Sequence, residues 1–436
     1  MKRLLAIVPK GSAVLAATTL LSYILGLVRD RSFAHMFGAS RALDAYNAAF
    51  LLPDFLFNVL VASGIAAAVV PIYLDLQSRD EKKSEQYAST VLTVSSMVMG
   101  AVALVVFFFA TPLSALVAPG FSVGERESVA HIMRILAISP IFFAASNTFG
   151  SLLVARRKFF YYGLSPVFYN AGIIFGVYFL APYWGVTGVA IGTVGGAFLH
   201  MFLRYIDVRS LGMRFRATWA VKTGEFKKTL RLMAPKMIGH PVELATFWAF
   251  TALASTQPEG SIATLNFARN FQSVPVSMIG IVLATTYFAH FSEHWIVRSR
   301  KEFVAVLRRA LGVVGIASVF SAVIVIVLRV QIIDIFLGGQ AFTHDAVIAT
   351  AALLGYFALS IPLEALSHIL VRAWYATHNT TVPVAGSVAA FVVAAGGAWL
   401  LMPTYGMSAL AIGFVAGSAL KIGILAVGLP FRLRRI

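Results

Sequence analysis

The chain has 436 residues, of which 59% are hydrophobic and only 12% are charged, and its mean hydropathy is +0.83. This composition excludes a soluble globular protein, in which about a quarter of the residues are charged. The chain contains no cysteine, which excludes disulfides and thiol catalysis.

Long apolar segments follow one another along the whole chain. Each is long enough to cross a bilayer, because about 20 helical residues span a hydrocarbon core of about 30 Å, and runs this uniform predict helices rather than barrel strands. The first segment has the basic start of a signal peptide, but Lys10 interrupts its apolar run, so we interpret it as a retained helix. The predicted fold class is an all-α polytopic membrane protein with about 12 transmembrane helices, at residues 12–34, 42–76, 86–110, 127–153, 163–181, 185–206, 229–254, 261–292, 303–328, 346–371, 380–402 and 406–428.

Basic residues are distributed unevenly between the predicted loops. With the N-terminus inside, 26 of the 35 Lys and Arg residues fall in inner loops and tails, whereas the outer loops at 181–185, 255–260 and 403–405 contain none. This is the positive-inside pattern, and it predicts that both termini are cytoplasmic. The net charge of +17 therefore reflects topology and contact with anionic membrane lipids, and nucleic acid is not an expected partner.

A glycine-rich segment occurs twice in the sequence. Gly185–Gly196 and Gly406–Gly417 are similar at an offset of 221 residues, and Pro182 and Pro403 keep the same offset. Each half then contains six helices, and an even number relates the halves by an axis along the membrane normal. The alternative is that small-residue helices look alike by chance.

The repeat predicts the domain organisation. We expect an N-lobe of helices 1–6 at residues 1–206 and a C-lobe of helices 7–12 at residues 229–436. A basic cytoplasmic linker at residues 207–228 would join them, and its mixture of basic and apolar residues predicts a helix lying on the membrane surface. Two pseudo-symmetric six-helix lobes form the V-shaped plan of a transporter, with the substrate site between the lobes.

Several charged residues lie inside predicted helices, where a central charge costs roughly 2.5–3.5 kcal/mol. Arg269 is about eight residues into the helix 261–292, which has no other permanently charged side chain. It either faces a water-filled cleft, where it grips an anion, or extends to the membrane surface. Arg29 either faces the cleft or forms an interfacial anchor paired with Asp30, and Asp44 begins the second helix, where an N-cap is its simplest role.

Two acidic residues, Glu243 and Glu364, are predicted to be buried in later helices, each two residues after a proline. Glu364 also has His368 one helical turn further on. Acid–imidazole pairs beside kinked backbone occur in proton and cation relays, so these three residues are candidates for ion or proton coupling. The alternative is a neutral, hydrogen-bonded acid that stabilises a kink. Lys421 is expected to extend to the membrane surface.

A set of fixed residues between positions 22 and 71 follows the pattern LG-x-x-RD, FG, DA-x-x-x-AF-x-x-P and VP. The matching residues are Leu25-Gly26, Arg29-Asp30, Phe37-Gly38, Asp44-Ala45, Ala49-Phe50, Pro53 and Val70-Pro71. This pattern resembles the start of the MurJ/MviN family of lipid II flippases, in the MOP flippase and multidrug-exporter superfamily. The segment ATLNFARNFQSVP also resembles the eighth helix of that family, with Arg269 six residues before Pro275.

The resemblance implies a function and a site. It implies a flippase that moves a polyprenyl-pyrophosphate-linked sugar, lipid II or a related peptidoglycan precursor, from the inner to the outer leaflet by alternating access. In the family, residues matching Arg29 and Arg269 contact the pyrophosphate and the residue matching Asp44 orders those arginines; Asp30 is expected to belong to the same substrate site. A bacterial cytoplasmic membrane and partners among cell-wall synthesis proteins follow from the same resemblance.

No cofactor and no metal site are expected. The sequence contains no phosphate-binding loop, zinc pair or nucleophile elbow, so the protein is not predicted to be an enzyme or to hydrolyse ATP. Energy would then come from an ion gradient or the membrane potential.

Four departures from the family pattern keep two alternatives open. Tyr23 stands where the family usually has another arginine, Phe57 and Asn58 stand where it has an Arg-Arg pair, and the eleventh helix around Val393 offers no acidic or amide sodium ligand. The usual fourteen helices are also reduced to twelve. The alternatives are a cation-coupled exporter of drugs or small molecules with the same fold, and a non-transporting scaffold in envelope assembly.

Overall fold

Helices account for almost all of the described chain, as its long apolar segments predict. The computed structural model describes residues 10–62, 64–239 and 241–433, and these ranges contain no β-strand. Each of the twelve predicted segments falls largely on helix. An all-α fold follows because backbone amides inside lipid must find their hydrogen-bond partners within the helix.

The chain divides into two compact units. The N-terminal unit comprises the residues up to Phe37 together with Arg41–Pro241, and the C-terminal unit comprises Gly38–Ser40 and the residues from Val242 onward. The lobe boundaries predicted from the sequence repeat stay a prediction.

The helices of the N-terminal unit begin at recognisable signals where the loops are polar. For example, Asp80 accepts a hydrogen bond from the amide of Lys83 at 3.2 Å, and Ser122 forms a capping box with Glu125. The described helices are α1 (Lys10–Phe37), α2 (Arg41–Phe57), α3 (Ile65–Arg79), α4 (Glu81–Val117), α5 (Val123–Leu136), α6 (Ser139–Ala155), α7 (Phe160–Phe175), α8 (Ala181–Ser210) and α9 (Gly224–Gly239). Short π-helical turns follow α2 and α7, at Asn58–Ala62 and Gly176–Leu180.

The C-terminal unit is built in the same way from long helices with short connections. A π-helical turn at Val276–Ile281 follows Pro275, which cannot donate a backbone hydrogen bond. The described helices are α10 (Pro241–Ala254), α11 (Ser261–Pro275), α12 (Val282–Ile296), α13 (Arg300–Val327), α14 (Arg329–Leu337), α15 (His344–Ala358), α16 (Ser360–Ala376), α17 (Thr381–Tyr405) and α18 (Ser408–Arg432).

The sequence repeat has a counterpart in the backbone. Gly185 has φ 54° and ψ −140°, and Gly406 has φ 52° and ψ −136°. A positive φ of this kind favours glycine because it has no Cβ. The same unusual conformation therefore occurs at both copies of the repeat, at the predicted offset.

Helix packing repeats as well. A Cβ atom at Gly196 would lie 2.5 Å from the carbonyl oxygen of Tyr169, and one at Gly417 would lie 2.5 Å from that of Ala390. Tyr169 and Ala390 have the same spacing in the sequence as the two glycines. Each unit thus contains a glycine that lets one helix approach the backbone of its neighbour, which confirms the pseudo-symmetric fold class.

The connection between α8 and α9 differs from the expected surface helix. Residues 211–223 form turns and non-helical backbone, and helix covers only the ends of the predicted range 207–228. One physical reason is that the amide of Thr218 donates to Thr93 Oγ1 of α4 at 3.2 Å, a bond that holds this segment along a neighbouring helix.

By length and composition, eight helices of the described chain can cross a membrane, or nine if the bent pair α15–α16 counts as one span. One of the eight, Phe160–Ser210, has 51 residues and joins α7 and α8. Since about 20 residues span the hydrocarbon core, it is long enough for the two spans predicted there. The structure is therefore that of a multi-pass membrane protein.

Candidate functional site

Arg29 lies on α1 and is held by two polar partners within the N-terminal unit. Its Nη2 and Nε donate to Asp30 Oδ1 at 2.8 and 3.0 Å, and its Nη1 donates to Asn170 Oδ1 on α7 at 3.2 Å. The side chain of Asp30 is 6% exposed and that of Arg29 is 26% exposed. The pairing considered in the sequence is therefore present. Within the described part of the chain, three of the five guanidinium N–H groups make hydrogen bonds.

Asp44 is fully buried in the first turn of α2. The helix begins at Arg41, so Asp44 does not occupy the N-cap position suggested by the sequence. Arg41 lies 3.6 Å from Asp44 Oδ2 and 2.9 Å from Glu125 Oε1, and its guanidinium lies over the ring of Phe121. These contacts connect the starts of α2 and α5, which the sequence did not indicate. The ordering of other arginines by Asp44 stays a prediction.

Arg269 lies on α11 of the C-terminal unit and is partly buried. The carbon of its guanidinium is 3.3 Å from the centre of the Phe247 ring on α10. Contact with an aromatic face stabilises a cation, especially where water is excluded. Arg269 therefore packs against an aromatic ring of α10, and its binding of an anion stays a prediction.

Glu364 on α16 belongs to a hydrogen-bonded group centred on Gln272, which lies one turn from Arg269 on α11. Gln272, three residues after Arg269, donates from Nε2 to Glu364 Oε2 at 2.6 Å and to Ser360 Oγ at 2.9 Å. Among the described residues, no hydrogen bond joins Glu364 to His368, so the acid–imidazole pair suggested by their spacing is not formed. The glutamine is the partner that the sequence analysis missed.

Glu243 differs from the buried acid predicted from the sequence. Its side chain is 54% exposed, and Lys421 Nζ donates to its Oε1 at 2.7 Å. Lys421 on α18 is 14% exposed, so it pairs with α10 instead of extending to the membrane surface as expected. Pairing is favoured because an isolated charge in an apolar surrounding is costly for both partners.

The predicted site residues thus fall into separate groups within the two units. Arg29 and Asp30 form one group in the N-terminal unit, and Asp44 belongs to another with Arg41. In the C-terminal unit, Glu364 is bonded to Gln272, Glu243 is paired with Lys421, and Arg269 packs on Phe247. No group of three or more His, Asp or Glu side chains that could hold a metal occurs among the described residues.

Arg204 is a further functional candidate, although the positive-inside count includes it among the inner-loop residues. Arg204 lies within α8, is 6% exposed and lines a cavity in the N-terminal unit. The signal available in the sequence was its position inside the predicted span 185–206.

An all-helical, multi-pass chain with an internal repeat and charges held inside its helices belongs to the class of membrane transporters. The fold agrees with this class: a solved "Inward-facing conformation of a multidrug resistance MATE family transporter of the MOP superfamily" matches with a TM-score of 0.76, 14% identity and 97% coverage of each chain. A single family can be assigned within this class. The chain belongs to the lipid II flippase MurJ family, whose family model, "Lipid II flippase MurJ", matches residues 33–435.

Individual members of the family cover most of the chain. Proteins described as probable lipid II flippase MurJ are 28% identical in Thermotoga maritima, over 86% of this chain and 75% of that protein, and 23% identical in Borreliella burgdorferi, over 91% and 78%. A solved structure described as "Lipid II flippase MurJ, inward closed conformation" matches with a TM-score of 0.84 and 25% identity, over 96% of this chain and 87% of that one.

Proposed function

We propose that this protein moves lipid II, or a related polyprenyl-pyrophosphate-linked sugar, from the inner to the outer leaflet of the bacterial cytoplasmic membrane. The observation that carries the proposal is family membership over residues 33–435. Both termini lie in the cytoplasm, as the positive-inside pattern indicates. The protein changes the position of its substrate and not its covalent structure.

Two arginines are proposed to contact the substrate. Arg29 and Arg269 bind the pyrophosphate, because a guanidinium presents a planar fork of donors that matches phosphate oxygens. Asp30 supports this role by fixing two N–H groups of Arg29 and so orienting the two that remain. Phe247 supports Arg269 in the same sense, by fixing the plane of its guanidinium. Alternating access then requires that the inward and outward states differ by no more than a few kcal/mol.

Coupling to an ion gradient or to the membrane potential is proposed for the C-terminal unit. Of the three candidates, Glu364 is supported best, because its carboxylate is held by Gln272 on a neighbouring helix at 2.6 Å. Glu243 is already paired with Lys421, and His368 is not bonded to either acid in the described chain.

The test is rescue of cells depleted of their own lipid II flippase. Arg29→Ala and Arg269→Ala are each expected to abolish rescue at unchanged protein level, whereas Arg308→Ala, at an exposed position on α13, is the matched control. Labelled lipid II in vesicles containing the purified protein then measures transfer between leaflets directly. Rescue that survives both substitutions would remove the proposed pyrophosphate site.

Two other functions make different predictions in the same assays. A cation-coupled exporter would confer drug efflux without rescue, and its likeness to MATE transporters at 14% identity concerns the fold alone. A scaffold in envelope assembly, acting through cell-wall synthesis proteins, would neither rescue the depleted cells nor move labelled lipid II. Rescue together with transfer in vesicles excludes both.

A further inference from the structure

A buried arginine lines a cavity of about 520 Å³ that lies wholly in the N-terminal unit. Arg204 on α8 donates from Nε to Ser165 Oγ at 2.7 Å, from Nη1 to the carbonyl oxygen of Ser146 at 3.2 Å, and from Nη2 to that of Tyr162 at 3.2 Å. These three acceptors are neutral. The guanidinium is therefore held firmly, but none of these bonds compensates its charge.

The surrounding backbone is adapted to receive this guanidinium. Pro166 has no N–H group, so the carbonyl oxygen of Tyr162, four residues earlier, lacks its helical partner and can accept from Arg204. Gly150 leaves the necessary space, because a Cβ atom there would lie 2.7 Å from Arg204 Nη1. The ring of Tyr162 lies 4.5 Å from the guanidinium carbon. The arginine therefore occupies a built site and not a gap between helices.

No described carboxylate lies within 4 Å of Arg204. Asp207, three residues further along α8, accepts instead from Ser210 Oγ, at 3.5 Å. A buried cation without an opposite charge is costly in an apolar surrounding, where an anion next to it restores much of the lost energy. The site thus favours an anionic ligand.

The cavity beside Arg204 has the composition of a headgroup site. Three hydroxyl-bearing residues of α1, Thr19, Ser22 and Tyr23, line it together with the apolar residues Leu15 and Pro166. Its volume is several times that of a phosphate group, which leaves room for an attached glycerol or sugar.

The surface next to the cavity is apolar and exposed. Leu20 and Ile24 on α1 are 50% and 48% exposed, as expected for side chains in contact with acyl chains. Arg204 is six residues before the end of α8 at Ser210, which is about 9 Å along the helix axis. An apolar surface beside a buried cation suits a ligand that joins an anionic group to acyl chains.

We propose that this cavity binds the phosphate group of a lipid, with Arg204 as its counter-ion and the hydroxyl groups on α1 as further donors. The lipid is either an anionic phospholipid of the membrane or a polyprenyl pyrophosphate, because both present the same chemistry. The proposal concerns the N-terminal unit alone and does not depend on the proposed flipping.

The experiment measures ligand-induced thermal stabilisation of the full-length protein in detergent. The probes are phosphatidylglycerol, diacylglycerol with the same acyl chains, polyprenyl pyrophosphate and inorganic phosphate. We expect both lipid phosphates to raise the unfolding midpoint and diacylglycerol and inorganic phosphate not to do so. The lipid phosphate that acts at the lower concentration is the one the site prefers.

Variants distinguish binding of a lipid in the cavity from general attraction of anionic lipids to a basic surface. Arg204→Gln should weaken the apparent affinity at least tenfold, whereas Arg209→Gln, which removes an exposed charge from the same helix, should change it less than twofold. Because Arg204→Gln can also impair folding, Thr19→Trp provides a second test: it fills the cavity from α1 and leaves the guanidinium in place. Equal losses in both arginine variants, unchanged binding by Thr19→Trp, or equal stabilisation by inorganic phosphate would overturn the proposal.

Discussion

Burial should decide how much an ion pair contributes in this protein, and two pairs of equal length allow a direct comparison. Arg29–Asp30 and Arg79–Asp75 both have an N–O distance of 2.8 Å. Asp30 is 6% exposed and Arg29 26%, whereas Asp75 is 52% exposed and Arg79 74%. Replacing each aspartate by asparagine keeps the shape and one acceptor oxygen, so the change removes mainly the charge.

The expected losses of unfolding free energy differ severalfold. Breaking a buried pair by removing one charge costs about 3–5 kcal/mol, and because a quarter of Arg29 is exposed, solvent screening reduces this to about 2 kcal/mol for Asp30→Asn. For Asp75→Asn the expected loss is about 0.5 kcal/mol or less, as for exposed helical pairs. A difference of about 1.5 kcal/mol corresponds to roughly tenfold in the folding equilibrium.

The assay is reversible unfolding of the wild type and both variants in the same detergent, followed by the rescue test at matched protein levels. Asp30→Asn should also lose rescue, since Arg29 would no longer be oriented, and Asp75→Asn should keep it. Equal stability losses would refute the reasoning, because they would show that burial does not raise the contribution of the pair. Full rescue by Asp30→Asn would show that the stability contributed by the Arg29–Asp30 pair is not required for function.

Two further predictions concern helix contacts. Gln272→Leu removes the N–H donor shared by Glu364 and Ser360, and we expect it to lower the unfolding free energy by about 1–3 kcal/mol because the carboxylate is left unsatisfied. The same unfolding assay measures this loss, and wild-type stability of Gln272→Leu would contradict the prediction. Gly196→Ala should destabilise the protein by about 1–3 kcal/mol, because its Cβ atom would meet the backbone of the neighbouring helix. Gly195→Ala, whose Cβ atom would meet open space, should be neutral or stabilising by up to about 1 kcal/mol. An equal effect of the two substitutions on the unfolding midpoint would contradict the close packing at Gly196.

Much of the fold could be predicted because the membrane restricts the choices. Long apolar segments must be helices, and the repeat around Gly185 and Gly406 predicted two similar halves before the matching backbone angles were known. The linker at 211–223 was mispredicted for a related reason. Its composition suited a surface helix, but the hydrogen bond from Thr218 to Thr93 depends on how the linker meets α4, which local composition does not contain.

The site was predicted less completely, because spacing along a helix reveals only neighbours three or four residues apart. Arg29 and Asp30 are adjacent, so their pairing could be considered from the sequence. The pair Lys421–Glu243 spans 178 residues, and only the packing of α10 and α18 brings it together. Glu364 and His368 show the converse, since a favourable spacing did not produce a bond once Gln272 supplied a better donor.

Arg29 and Arg204, both in the N-terminal unit, differ in how their charges are compensated, and this difference bears on what each can bind. Arg29 already has a carboxylate at 2.8 Å, so an incoming phosphate meets a nearly neutral pair and gains chiefly from the remaining N–H donors. Arg204 has only neutral acceptors, so an anion there gains the full attraction of a buried charge, which salt screens weakly. We therefore expect a singly charged lipid headgroup to bind more tightly near Arg204 than near Arg29, and the proposed binding at Arg29 to depend more on the greater charge of a pyrophosphate. A low affinity of Arg29 for singly charged lipids would keep the surrounding membrane lipids from occupying this position. The same low affinity would suit a substrate that must later be released.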